Sequence, residues 1–157
     1  MPKNLKIITD PHPKLREVSE EISPEKLKDP KMKDFFNDLE KTMEENDGVG
    51  LASPQVEKNI RVIAIKDGDK TLCLINPEIT KRSWAKEWGE EGCLSVPDYY
   101  GEVQRNKKIN CVYRDKKGNK KRMKAEGFPA RVIQHEIDHL DGILFTDKAK
   151  NLKKSSE

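Results

Sequence analysis

Two of the only three histidines in this 157-residue chain lie four apart, in Gln134-His135-Glu136-Ile137-Asp138-His139. On an α-helix, residues i and i+4 project from the same face. Two imidazoles so placed can hold one metal ion, and Glu136, directly after the first, is a candidate general base. At 100° per residue, His135, Glu136 and His139 fall within about 60° of Val132. Ala130, Ile133, Ile137 and Leu140 cluster at about 80–160°, so one face reads as a site and its neighbour as core.

A mononuclear hydrolytic site takes three protein ligands and keeps one position open for water. No histidine or cysteine follows His139, and the acids that remain are Asp141, Asp147 and Glu157. The third ligand is therefore expected upstream, and cysteine is the first candidate. Cys73 sits in the apolar run Leu72-Cys73-Leu74-Ile75, and Cys111 shares a strand face with Ile109 and Tyr113. Both read as small core residues, the usual fate of a free cysteine. Cys93 differs, lying after a glycine in Glu90-Glu91-Gly92-Cys93-Leu94-Ser95-Val96-Pro97. A bound cation would favour its thiolate, the form that ligates.

Such an ion lowers the pKa of its water from about 15.7 toward about 7. Glu136 then takes the proton and later delivers it to a leaving amine. The ion, the Gln55 amide and a backbone N–H just after Cys93 are placed to stabilise the attacked carbonyl oxygen. Loss of one such donor typically costs roughly 10²–10³ in rate. The reaction class is metal-assisted hydrolysis of an amide.

The elements that must position these groups follow from pattern. Asp29-Pro30 starts a helix, with a side-chain cap and proline at the first position. Met32, Phe35, Phe36, Leu39 and Met43 give it one apolar stripe, and it ends before Asn46-Asp47-Gly48. The segments 61–66 and 71–75 read as a hairpin around Asp67-Gly68-Asp69, ended by Asn76-Pro77. Segments 108–114 and 120–124 read as a second hairpin. The last helix follows Gly127-Phe128-Pro129. A short helical turn is expected around Leu15 to Val18, and His12, between two prolines, reads as a surface residue rather than a ligand. The fold class is α+β: mixed, mainly antiparallel strands packed around a central C-terminal metal-binding helix, with an N-terminal helix. One catalytic domain spans 1–147, and the polar tail 148–157 is expected to fray.

Composition narrows the function. Charged residues make up 38%, but 31 cations against 28 acids leave only +3. That balance suits a solvated surface and does not mark a nucleic-acid binder. No run approaches the length of a membrane span, and residues 1–10 lack the apolar core of a signal peptide. A reducing cytoplasm is the expected compartment for three unpaired cysteines.

Three segments together resemble the peptide deformylase family. Its signatures are a G-x-G-L-A-A-x-Q loop, an E-G-C-L-S segment and a Q-H-E-x-D-H helix. Here they stand as Gly48-Val49-Gly50-Leu51-Ala52-Ser53-Pro54-Gln55, Glu91-Gly92-Cys93-Leu94-Ser95, and the 134–139 helix. Their order and spacing match, and the likeness runs from about Leu5 to Asp147. Ser53 departs from the loop's second alanine. The resemblance implies an enzyme that removes the formyl group from N-terminal formylmethionine of new polypeptides and releases formate. Carried over by position, Cys93, His135 and His139 are metal ligands and Glu136 is the catalytic acid/base. Gln55 and the Leu94 N–H hold the oxyanion, and Gly50 pairs with the substrate backbone. Val49, Tyr100, Phe128 and Val132 are assigned to the methionine pocket. The resemblance also implies one divalent ion, Fe(2+) natively, with Zn(2+), Ni(2+) or Co(2+) accepted.

The implied partners are N-formylmethionyl nascent peptides and the ribosome near its exit tunnel, with no membrane and no sequence-specific nucleic acid. The chain lacks the long C-terminal helix some members carry, which puts docking through such a helix in question. The alternatives are a metallopeptidase using the same His-Glu-x-x-His helix and a non-catalytic ribosome- or RNA-binding module. A structural zinc site is a further reading, but such sites usually close with four ligands.

Overall fold

A computed structural model of the chain describes residues 1–155. Three helices, α1 (Pro24–Leu27), α2 (Pro30–Glu45) and α3 (Phe128–Leu140), accompany eight strands. The strands are β1 (Gly50–Ala52), β2 (Val62–Asp67), β3 (Lys70–Arg82), β4 (Lys86–Cys93), β5 (Val96–Asn106), β6 (Lys108–Arg114), β7 (Lys120–Glu126) and β8 (Lys150–Lys154). They form two antiparallel sheets, one ordered β1-β2-β3-β6-β7 and one ordered β4-β5-β8. The α+β class expected from the sequence is the one found.

The five-stranded sheet is covered on both faces over its inner strands. Successive strand residues point to opposite sides, so Ile63, Ile65 and Leu74 pack with Ala130, Ile133, Ile137 and Leu140 of α3. Val62, Ala64, Cys73 and Ile75 pack the other way, against Phe36, Leu39 and Met43 of α2. Helix α2 starts as its sequence dictates: the Asp29 carboxylate accepts from the Lys31 N–H at 2.9 Å, and Pro30 follows. A third cluster of Ile8, Leu15, Val96, Val103, Leu144 and Phe145 joins the second sheet to the N-terminal segment.

Both hairpins expected from pattern are present, as β2–β3 and β6–β7. The first does not end at Asn76-Pro77. Strand β3 runs on to Arg82 through a bulge between Ile75 and Glu78, where a proline costs no ladder hydrogen bond. Asn76 adopts φ 50° there, and its amide bonds both the N–H and the carbonyl of Ile22, each at 2.9 Å.

The tail also departs from expectation. Lys150–Lys154 does not fray but pairs with β5 as an edge strand, Tyr99 opposite Lys154 and Glu102 opposite Lys150. Main-chain pairing to an open edge needs no apolar side chains, and all five residues are exposed. The Lys150 ammonium sits 4.6 Å above the Trp88 ring, adding a cation–π contact. Residues 156 and 157 of that tail lie outside the described residues.

Candidate active site

Helix α3 is the central support. Gly127, at φ 66°, turns the chain into it, and Pro129 occupies its first turn. Burying Ile133, Ile137 and Leu140 in the sheet fixes its rotation. His135, Glu136 and His139 then face away from that core, and their ring pair lies 5.1 Å apart between centroids.

The second support is the tight hairpin between β4 and β5. Cys93 closes β4 opposite Val96, with Leu94 and Ser95 in the turn. This hairpin brings Sγ of Cys93 to 3.3 Å from Nε2 of His139. One ligand atom from each of Cys93, His135 and His139 lies within 4.8 Å of the others. Gly92 is required by packing rather than by bending, because a Cβ there would stand 2.7 Å from the Tyr100 ring.

The third support is the segment after β1. Gln55 is 2% exposed, and its Oε1 accepts from the Ala52 N–H at 2.9 Å. Its Nε2 donates to Ser95 Oγ at 3.0 Å and lies 3.5 Å from Cys93 Sγ. Gly50 passes so close to Glu136 that a Cβ would fall 2.5 Å from Oε2. Only glycine lets the strand lie beside that carboxylate.

Behind the cluster runs a network of buried ions. Nδ1 of His135 lies 2.8 Å from Glu91 Oε1, leaving Nε2 of that ring for a metal. Glu91 also accepts from Arg105, twice at 2.9 Å, and from Arg131 at 2.7 Å. Arg105 reaches on to Asp138 at 2.6 Å. Burial alone would raise the Glu91 pKa, but hydrogen bonds and charge from Arg105 and His135 hold it well below the ordinary carboxylate range. Burial is the largest influence on Glu136 and outweighs the positive charge of His135 and Arg105, pushing it up to about 7. Burial disfavours a proton on His139 and holds its pKa well below the ordinary value. Burial works the same way on His135, yet Glu136, Cys93 and Glu91 outweigh it and raise it to about 10.

The residues fit such an ion. A thiol and two imidazoles are a donor set suited to zinc, iron and similar metals. Among the described residues, Oε1 of Glu136 is buried without a hydrogen-bond partner, as a group reserved for a reacting molecule would be. A cavity of about 460 Å³ opens over the site, lined by Val49, Gly50, Gln55, Cys93, Leu94, Tyr100, Phe128, Val132, His135 and Glu136. His139, 1% exposed, lies beneath it.

The whole architecture matches known proteins. Residues 4–155 match the family model described as polypeptide deformylase. The chain belongs to the peptide deformylase family. A peptide deformylase of Symbiobacterium thermophilum is 45% identical over 157 residues, covering 98% of this chain and 70% of that protein. The crystal structure of the Thermotoga maritima peptide deformylase superposes with a TM-score of 0.89 at 36% identity, over 93% of this chain and 97% of that one. A Met-Ala-Ser-bound structure of the Acinetobacter baumannii peptide deformylase gives 0.89 at 34% identity, over 94% and 99%. Peptide deformylases remove the formyl group from nascent polypeptides by metal-dependent hydrolysis, and that is the activity of this chain. No helix among the described residues is long and apolar enough to cross a membrane.

Every residue assigned to the site from the sequence therefore lines this one cavity, except His139, which lies within ligand distance of Cys93 and His135. Sequence reasoning gave no role to Glu91, Arg105, Arg131 and Asp138. Glu91 and Asp138 fall inside the quoted motifs, which was the available signal. The arginines carry none, since only the fold brings Arg105 of β5 and Arg131 of α3 onto one carboxylate.

Proposed function

We propose that Cys93, His135 and His139 hold a single divalent ion and that Glu136 is the acid/base of deformylation. The observation that carries this reading is the convergence of those three donors within 4.8 Å, beside a buried carboxylate oxygen that has no hydrogen-bond partner among the described residues. A bound ion supplies Lewis acidity, lowering the pKa of a water and polarising the formyl carbonyl. Glu136 accepts the proton that the attacking water gives up. Burial raises the Glu136 carboxyl above the ordinary carboxylate range, which favours uptake of that proton. As the carbonyl carbon gains the water oxygen, Gln55 Nε2 and the Leu94 N–H donate to the carbonyl oxygen. Glu136 then passes its proton to the amine nitrogen as the C–N bond breaks, leaving formate and a free N-terminus. Glu91, hydrogen-bonded to Nδ1 of His135, fixes that ring's tautomer and orientation.

Gly50 pairs its backbone with the substrate, and Val49, Tyr100, Phe128 and Val132 receive the methionine side chain. Exposed apolar groups around the cavity support this, Phe128 at 60% and Val49 at 44%. The Acinetobacter relative bound to Met-Ala-Ser is consistent with it. Fe(2+) is the proposed native metal, with Zn(2+), Ni(2+) or Co(2+) able to replace it. The proposed setting is the cytoplasm, at nascent chains leaving the ribosome.

Glu136→Gln tests the assignment. It should keep the metal and lower formate release from formyl-Met-Ala by roughly 10²–10⁴. Normal turnover in that variant would remove Glu136 from the mechanism. Activity toward unformylated peptides would favour a metallopeptidase instead. Anaerobic purification should yield more iron and more activity than aerobic purification; equal activity with iron in both would count against a ferrous centre.

A further inference from the structure

The near-neutral total of +3 conceals a segregation of charge that the fold produces. Helix α2 covers its face of the five-stranded sheet only near β1, β2 and β3. On that same face the outer strands are uncovered. Register places Asn110, Val112 and Arg114 of β6 opposite Lys124, Arg122 and Lys120 of β7. It also pairs Lys81 and Glu78 of β3 with Asn110 and Val112. These positions alternate with the core-facing Ile109, Cys111 and Tyr113, so they point away from α3.

Five exposed cations, Lys81, Arg114, Lys120, Arg122 and Lys124, therefore share one half-face with two carboxylates among the described residues, Glu78 and Glu126. Among the described residues, Lys81, Lys120, Arg122 and Lys124 make no ion pair, and Arg114 donates to the Gly118 carbonyl at 3.0 Å. Neighbouring charges are already engaged. Lys116 pairs with Glu40 at 2.8 Å, Lys108 faces Glu126 at 3.8 Å, and Asp115 accepts from the N–H groups of Lys117 and Asn119.

The loop at one end of this half-face carries an aromatic residue. Trp84, in the connection from β3 to β4, is 97% exposed. Its loop is pinned beside β6, with Ser83 N–H donating to the Lys108 carbonyl at 2.9 Å and Lys107 N–H to the Ala85 carbonyl at 3.0 Å. Lysines on an edge strand guard against edge-to-edge pairing, which accounts for the charges of β7. It does not account for Arg114, paired on both sides by Ile75 and Lys120, or for an uncovered indole.

We propose that this half-face binds the phosphate backbone of single-stranded RNA, with Trp84 stacking on a base. Same-face residues along β7 recur every ~6.8 Å, giving a regular row of cations. Cations neutralise phosphates, and an aromatic ring adds stacking that does not depend on sequence. A membrane surface fits less well, because binding in the interface needs a broad apolar face. The other exposed aromatics, such as Tyr99, Tyr100 and Phe128, surround the catalytic cavity instead. The half-face lies across the sheet from α3, so the inference stands apart from the metal site.

The test is fluorescence anisotropy with a labelled single-stranded RNA of about 12 nucleotides, titrated between about 50 and 200 mM salt. Five phosphate contacts give a log–log slope of about −3.5, or about a hundredfold loss of affinity across that range. The Lys120→Gln/Arg122→Gln/Lys124→Gln variant should keep formate release and thermal stability, with the slope reduced to about −1.4. Trp84→Ala should weaken binding about tenfold with the slope unchanged. The proposal is overturned by absence of RNA binding at the lowest salt, by wild-type affinity in the triple variant, or by preference for phosphatidylserine vesicles over RNA. Wild-type affinity in Trp84→Ala would overturn the stacking contact.

Discussion

Helices α2 and α3 pack on opposite faces of the same sheet, yet they bury different chemistry. Helix α2 buries four of its 16 residues, Phe36, Leu39, Thr42 and Met43. Helix α3 buries ten of its 13, among them Arg131, Gln134, His135, Glu136 and His139. An apolar stripe explains α2 apart from Thr42, whose hydroxyl accepts from the Leu5 N–H at 2.8 Å and donates to the Asp38 carbonyl at 2.7 Å. Burying so many polar groups on α3 is costly unless each has a partner. The partners are the ion network and the Asn106 backbone behind the helix and, in front of it, the proposed metal and substrate. What separates a scaffold helix from a catalytic one here is therefore the polar content of the buried face.

The largest expected effect falls on the network. Glu91→Ala leaves Arg105 and Arg131 without their shared carboxylate and releases His135. Removing one partner of a buried ion pair typically costs about 3–5 kcal/mol, and loss of a metal-supporting hydrogen bond typically weakens metal affinity about 10–100-fold. Urea unfolding and metal titration measure the two effects separately. A variant as stable as wild type would show that the network is not integral to α3.

Next is a core deletion on the other helix. Leu39→Ala, fully buried in wild type, should destabilise by about 2–5 kcal/mol. Metal content and kcat of the folded fraction should stay unchanged, because α2 only supports the sheet. A fall in kcat at full folding would blur the distinction between the two helices.

Gly50→Ala sharpens the comparison at the site itself. Its Cβ would displace the Glu136 carboxylate, and misplacement by about 1 Å can cost on the order of 10² in rate. Steady-state kinetics should show the loss in kcat, with metal content retained. The smallest effect belongs to Asp29→Ala, which removes the α2 cap and should cost about 1 kcal/mol by thermal unfolding, with kcat intact.

Much of this was legible in the sequence for physical reasons. His135, Glu136 and His139 were readable because helical period fixes their common face, and α2 because Asp29-Pro30 and its stripe obey local rules. The β4–β5 hairpin was not. Lys86–Cys93 carries two glycines and four charged residues, so no apolar alternation announces a strand. Its pairing is decided by tertiary contact, with Glu91 drawn to Arg105 across the hairpin. The run of β3 through Pro77 and the pairing of Lys150–Lys154 were hidden for the same reason, since both depend on distant backbone.

X-ray absorption on the zinc-loaded protein most directly tests the claim that helix and hairpin share one ion. One sulfur at about 2.3 Å and two imidazole nitrogens at about 2.0–2.1 Å are predicted in its shell. A shell without sulfur would contradict the account, because Cys93 would then have no part in holding the metal.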